Sequence, residues 1–370
     1  MRFLTREAWP MAQKAGLSRA EFEAAIVGST SPDPLVLKMA ANQPEFKSTT
    51  GAYLAKAVTG ARIDKGRMLL DQQAALLAKI EARYGVPREI VLAIWGMESN
   101  FGGDIGSMKV IRSLATLAYE GSRKPYGREQ LAAAFRVLRK GEVAPQNFVG
   151  SWAGAMGHTQ FIPTSYLAAA VDWNGDGRKD IWTTPADALA STAHYLKEAG
   201  WDSSMPWGEE VKLPDNFDMS LLGRAHKRPM AEWQKLGVRA ADGGALSAPR
   251  AVAYPILPQG LDGPAFLVTG NFLAIMAYNQ SHSYALAVGH LADRIDGRPE
   301  LRGKWRDPRI DLSLAERIEL QRRLNSLGFE TGGSDGRFGA RTFEAIVAFQ
   351  KKRGLAINPV PSRKLLQALR

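Results

Sequence analysis

The chain has 370 residues, 45% of them apolar and 23% charged, which is the composition of folded domains and enough chain for two or three of them. Its 48 Lys and Arg against 37 Asp and Glu leave a formal charge of +11, which favours a polyanionic partner without choosing among nucleic acid, a membrane surface and an acidic wall polymer. With no cysteine there is no disulfide, thiolate nucleophile, zinc ribbon or Fe–S cluster, and five scattered histidines without an H-x-x-x-H pair disfavour a zinc hydrolase.

No apolar run approaches the ~18 residues a membrane span requires, and the opening Met1 to Glu7 meets charge and Pro10 too early for a signal peptide. Ser18 to Glu21 reads as a capping box that opens a helix with Phe22, Ala25 and Ile26 on one face. A longer helix is predicted over 65–84, closed by Gly85. Pro87 then stands where a first-turn proline belongs, before an apolar helix over 88–100. Further helices are predicted at 107–120, 128–140, 163–171 and 185–199. Short strand-like runs at 210–213 and 250–257, between Pro- and Gly-rich turns, mark 203–262 as a small β-rich insertion. Helix returns over 266–295. The stretch 296–311 is polar and aperiodic and reads as a linker, after which 312–370 has the apolar rhythm of a separate module.

The most informative residue is Glu98, in Ile90-Val-Leu-Ala-Ile-Trp-Gly-Met-Glu98-Ser-Asn-Phe-Gly102. Helical spacing puts it four residues after Ile94 and seven after Val91, on the face expected to be buried. A carboxyl group there loses hydration, which favours its neutral form and raises its pKa, as a general acid needs. Gly102 and Gly103 just beyond let a substrate approach the backbone. A helix-end Glu turned to water or paired with an Arg is the alternative.

Here the sequence resembles the B family of lytic murein transglycosylases, which share the goose-type lysozyme fold. Glu98-Ser99-Asn100-Phe101-Gly102 looks like the catalytic motif, and Ser151 to Tyr166 is close to the second signature. Val171 to Gly177 resembles the metal loop, and Ala277-Tyr278-Asn279 with Tyr284 the late Tyr-Asn motif. The match runs over roughly 1–295. It implies that Glu98 is the sole acid/base for cleaving the bond between N-acetylmuramic acid and N-acetylglucosamine, closing a 1,6-anhydro ring without water. It further implies that Ser151, Gln160, Tyr195 and Tyr284 bind sugar hydroxyls and amides, while Tyr278 and Asn279 hold Glu98 and the reacting ring. All six are neutral at pH 7, so none supplies the second carboxylate of an ordinary glycosidase.

Asp172-Trp-Asn174-Gly-Asp176-Gly177-Arg178 fits the calcium-loop pattern D-x-[DN]-x-[DN]-G, with the Arg178 carbonyl as the next oxygen. The twelfth position is Thr183, where an EF-hand has a bidentate Glu, and the resemblance offers Asp187 as the replacement ligand. A structural calcium ion and an ion-free turn are the two readings; no cofactor is expected to be required for the chemistry. Residues 312–370, from Leu320-Gln321 through Asp335-Gly336 to Phe349-Gln350, resemble the three-helix peptidoglycan-binding domain of wall hydrolases.

The expected fold is mainly α, in the α+β class. A lysozyme-like core over 85–202 and 263–295 is joined to a helical N-terminal part at 1–84, and the insertion and the wall-binding module complete it. The expected function is peptidoglycan lytic transglycosylase. A goose-type lysozyme that hydrolyses the same bond and a non-catalytic wall-binding scaffold are the alternatives. Peptidoglycan strands are the expected partner, with wall-synthesis or envelope machinery possible recruits, and neither nucleic acid nor a transmembrane segment is expected. The substrate implies a periplasmic location, reached through an export signal outside this sequence.

Overall fold

The computed structural model describes residues 3–29, 31–41, 49–121, 123–306 and 312–370. In its first half, α1 (Trp9–Lys14) and α2 (Arg19–Ala25) are followed by α3 (Pro34–Ala41), α4 (Thr50–Ala57), α5 (Gly60–Gln72) and α6 (Ala74–Tyr84). Next come α7 (Arg88–Ser99), α8 (Val110–Tyr119), α9 (Lys124–Arg139), α10 (Pro163–Ala169) and α11 (Pro185–Glu198). A two-stranded pairing of β1 (Met108–Lys109) with β2 (Val149–Gly150) interrupts them. The capping box forms as expected: Glu21 N–H donates to Ser18 Oγ at 3.2 Å and Ser18 N–H to Glu21 Oε2 at 2.6 Å. The single helix expected over 65–84 is two, meeting at Gln73, whose ψ of 15° leaves the helical range.

The second half holds β3 (Gly208–Lys212), β4 (Arg228–Pro229), α12 (Met230–Lys235), β5 (Arg239–Ala240), β6 (Val252–Ile256) and β7 (Ala265–Val268). These strands form one antiparallel sheet in the order β4-β6-β7-β3-β5. Two helices follow, α13 (Gly270–Tyr278) and α14 (His282–Ile295), and then three more, α15 (Leu314–Ser326), α16 (Ala340–Lys352) and α17 (Arg363–Leu369). Residues 266–268, expected to begin a helix, lie instead in a central strand. The segment is apolar and buried on both faces, so it lacks the alternation that identifies a half-buried strand.

The chain separates into two units, one of Met1–Lys47 with Asp64–Glu198 and one of Ser48–Ile63 with Ala199–Arg370. In the first, α8 lies against α9, and Gly127 lets the backbones meet: a Cβ there would stand 2.3 Å from the Ala118 nitrogen. Phe22 and Phe135 are fully buried beside them, with ring centroids 5.8 Å apart.

In the second unit, Val211, Met230, Trp233 and Leu267 form a core beneath the sheet. Helix α4 belongs to this unit, with Gly51 N–H donating to Gln259 Oε1 at 3.0 Å. The stretch expected to be a free linker is tied down as far as residue 306. Glu210 accepts the N–H groups of Arg302 and Gly303 at 2.8 and 2.6 Å, and Trp305 stacks on Phe266 with a centroid separation of 6.2 Å. The C-terminal helices have their own core of Leu320, Leu324, Ile346, Phe349 and Leu366. Helix α16 also turns Val347 into the core beneath the sheet, while Phe343 lies against Gly260 and Glu344 against Gly223.

Candidate active site

Helix α7 is buried without interruption from Ile90 to Gly96, and Met97 and Glu98 just beyond are half-buried. Glu98 therefore sits where the apolar shaft meets the surface. The chain reverses immediately after it through three left-handed residues, Asn100 at φ 50°, Phe101 at φ 58° and Gly102 at φ 80°. Left-handed conformations cost non-glycine residues on the order of 1 kcal/mol or more each, so the reversal needs support. Phe101 N–H donates to the Trp95 carbonyl at 3.2 Å and Asp104 N–H to the Ser99 carbonyl at 2.9 Å. The Phe101 ring fills the place of a side chain at Gly96, where a Cβ would lie 2.7 Å from it. Lys65 donates to the Asn100 carbonyl at 3.1 Å and lies 5.5 Å over the Phe101 ring. Asp104, the next carboxylate in sequence, is exposed, and its Oδ1 accepts from Gly106 N–H at 3.3 Å.

The second signature segment packs on this reversal. Met156 and Phe161 bridge each other through paired backbone hydrogen bonds of 2.9 and 3.0 Å, which closes a tight loop around 157–160. Gln160 is left-handed at φ 51°, and its Nε2 donates to the carbonyls of Ile105 at 3.1 Å and Gly157 at 2.9 Å. Ser151 Oγ accepts from the N–H groups of Ala153 and Ala155 at 3.3 and 3.0 Å, shaping the turn before it. Tyr195, on α11, packs on Phe161 at 5.6 Å, and burial pushes its hydroxyl above the ordinary range.

His158 is one of the scattered histidines passed over in the sequence, and it joins the loop to α7. Trp95 Nε1 donates to its Nδ1 at 3.1 Å, and Ser99 Oγ donates to its carbonyl at 2.5 Å while accepting from Gly102 N–H at 2.9 Å. Trp95 and His158 are 63 positions apart, so no local period connects them. The only signal was His158's place inside the second signature.

The late motif lies in the second unit. Tyr278 ends α13 half-buried, Asn279 caps it and is exposed, and Tyr284 is buried in the first turn of α14, where Ser281 Oγ accepts its N–H at 3.3 Å. Thus Glu98, Ser151, Gln160 and Tyr195 belong to the first unit and the remaining three to the second.

The Asp172 loop is closed by its own side chains. Asp172 accepts from Gly175 and Gly177 N–H at 2.7 and 2.8 Å, Asn174 Oδ1 from Asp176 N–H at 3.1 Å, and Asp176 Oδ1 from Arg178 N–H at 2.9 Å. Asp187 is fully buried and accepts from Trp173 and Asp180 N–H at 3.0 and 2.9 Å. Thr183 turns its hydroxyl to Asp180 and away from the loop's ligand positions. These all-oxygen donors at alternate positions suit a hard cation such as calcium, one bidentate ligand short of an EF-hand. Among the described residues no three acidic or histidine side chains converge.

Residues 2–293 match the family described as transglycosylase SLT domain, and residues 313–369 match the putative peptidoglycan binding domain. Membrane-bound lytic murein transglycosylase B of Escherichia coli K12 is 30% identical over 307 residues, which cover 77% of this chain and 80% of that protein. SltB3 from Pseudomonas aeruginosa, solved in complex with NAG-anhNAM-pentapeptide, is 45% identical with a TM-score of 0.86, over 99% of this chain and 98% of that one. The Escherichia coli lytic transglycosylase SLT35 in complex with calcium is 26% identical with a TM-score of 0.64, over 79% of this chain and 93% of that one.

Proposed function

The chain belongs to the transglycosylase SLT-domain family and is a lytic transglycosylase of peptidoglycan, and on that premise we propose that Glu98 alone carries both proton transfers of its reaction. The observation that supports this is the position of Glu98 at the mouth of a buried apolar helix, at the start of a braced reversal. As an acid it protonates the glycosidic oxygen between N-acetylmuramic acid and N-acetylglucosamine, and the bond to the anomeric carbon breaks. The substrate's own N-acetyl oxygen stabilises the positive charge left there. Glu98, now a carboxylate, removes the proton from the muramoyl 6-hydroxyl, and that oxygen closes on the anomeric carbon as the anhydro ring. Glu98 ends protonated and no water is consumed, so one carboxyl group suffices where hydrolytic glycosidases need two.

Around it, Gln160 commits its amide nitrogen inward and so presents its oxygen to a sugar donor. Ser151 uses its oxygen as an acceptor and keeps its proton for a sugar oxygen. By the resemblance, Tyr195 of the first unit and Tyr278, Asn279 and Tyr284 of the second are further candidates for binding sugar. The reaction belongs where peptidoglycan lies, in the periplasm. For the Asp172 loop we propose a weak structural calcium site of Asp172, Asn174, Asp176, the Arg178 carbonyl and Asp187, with no part in the chemistry.

Glu98→Gln keeps the shape and removes the acid. Lysis of purified sacculi is expected to fall at least a thousandfold with sacculus binding retained, and the parent's products, by mass spectrometry, to be lighter by one water than hydrolytic ones. Retained lysis in the variant would remove Glu98 from the mechanism.

A further inference from the structure

We propose that His158 is a positioning residue for Glu98, a neutral imidazole that clamps the last turn of α7 and the reversal beyond it to the second signature loop. The inference rests on Glu98 being the acid.

Three ties bracket Glu98 along the chain. Three residues before it, the Trp95 indole donates to His158 Nδ1; one residue after it, the Ser99 hydroxyl donates to the His158 carbonyl; four residues after it, Gly102 lies against the imidazole ring. A Cβ at Gly102 would come within 2.4 Å of the ring's Cε1 and Nδ1, so the ring and the left-handed backbone fit only through the glycine. The rotation of α7 about its axis and the path of the chain leaving it are thus referred to one residue, through its ring at Trp95 and Gly102 and its carbonyl at Ser99. A reacting carboxyl misplaced by about 1 Å loses on the order of a hundredfold in rate.

The chemistry of the clamp fixes its protonation state. An indole N–H is a donor only, so Nδ1 must be unprotonated to accept it, and the neutral ring's proton then sits on Nε2. Protonating the ring would set two N–H donors against each other. Burial holds the imidazole below its ordinary value, against the opposing influence of the Asp180 carboxylate and the Trp182 backbone. The elements packed on the ring are α7, the reversal and the turn at 180–182; Trp95 and Gly102 meet it uncharged, and Asp180 is the charged group whose field reaches it.

The mechanism gives this a distinct signature. Glu98 enters the first step protonated, so its own titration lowers the rate on the alkaline side. Loss of rate as pH falls through the His158 pKa, below about 6.5, then belongs to the clamp. Glutamine can accept from the indole without titrating, whereas phenylalanine keeps the ring and loses that bond.

The test uses the full chain on sacculi, with kcat, KM, Tm and the pH profile measured for the parent, His158→Phe, His158→Gln and Glu98→Gln. The expected result is that His158→Phe loses tenfold or more in kcat with KM within twofold, at a temperature well below its Tm. His158→Gln should return kcat to within about threefold and lose the acid-side fall. His158→Phe with parental kcat, or His158→Gln with the parental acid limb, would overturn the proposal. If the phenylalanine variant does not fold, the glutamine variant decides by the same acid limb. An active Glu98→Gln would instead refute the acid assignment itself.

Discussion

Two reversals of the first unit, residues 99–106 after α7 and residues 172–180 before α11, both depend on left-handed backbone and are held by opposite means. The first draws its support from elsewhere in the chain, with Lys65, His158 and Gln160 reaching Asn100, Ser99, Gly102 and Ile105 across long sequence separations. The second supports itself through backbone N–H groups donating to Asp and Asn side-chain oxygens two to five residues away, with buried Asp187 as its outside anchor. A loop shaped by remote contacts can place a functional group against the rest of its unit. A loop shaped by its own side chains keeps its form alone, but its oxygens already have hydrogen-bond donors, which weakens its call on an ion.

The contrast is sharpest between two glycines. Gly102→Ala forces a methyl group into His158 at a φ of 80°, and we expect a loss of roughly 2–4 kcal/mol together with at least a tenfold fall in kcat, measured by denaturant titration and sacculus lysis. Asp187→Ala removes the acceptor of two part-buried amides and should cost roughly 1–3 kcal/mol, with the kcat of the folded protein unchanged. Gly177→Ala, at φ 88° but with nothing within 4 Å, should cost only about 1 kcal/mol and leave activity intact. The smallest effect is calcium itself: at a concentration equal to its Kd it adds about 0.4 kcal/mol, seen as a slight rise in Tm that EDTA reverses. A large calcium effect, or a silent Gly102→Ala, would erase the distinction drawn here.

Much of the fold was legible because the signals were local. The Ser18 capping box, the Gly85 stop and the apolar run of α7 each need only a few neighbouring residues. Strand β7 was not legible, since a run buried on both faces has neither helical nor alternating period. Nor was the attachment of 302–306, which depends on Glu210 and Phe266 far upstream. Among the candidate site residues, Glu98, Ser151 and Gln160 stood out through motifs, and Tyr195 only through the resemblance. The bond between Trp95 and His158 could not, because two unremarkable residues acquire meaning only when folding brings them together.

Helix α16 closes the hydrophobic interior of the wall-binding bundle with one flank and plugs the floor of the neighbouring sheet with Val347 on the other. Severing the chain before residue 312 would therefore do more than detach an anchor, because it would open a greasy wound in what remains. Residues 313–369 are a unit of inheritance, recognisable across many proteins, without being a separable mechanical part of this one.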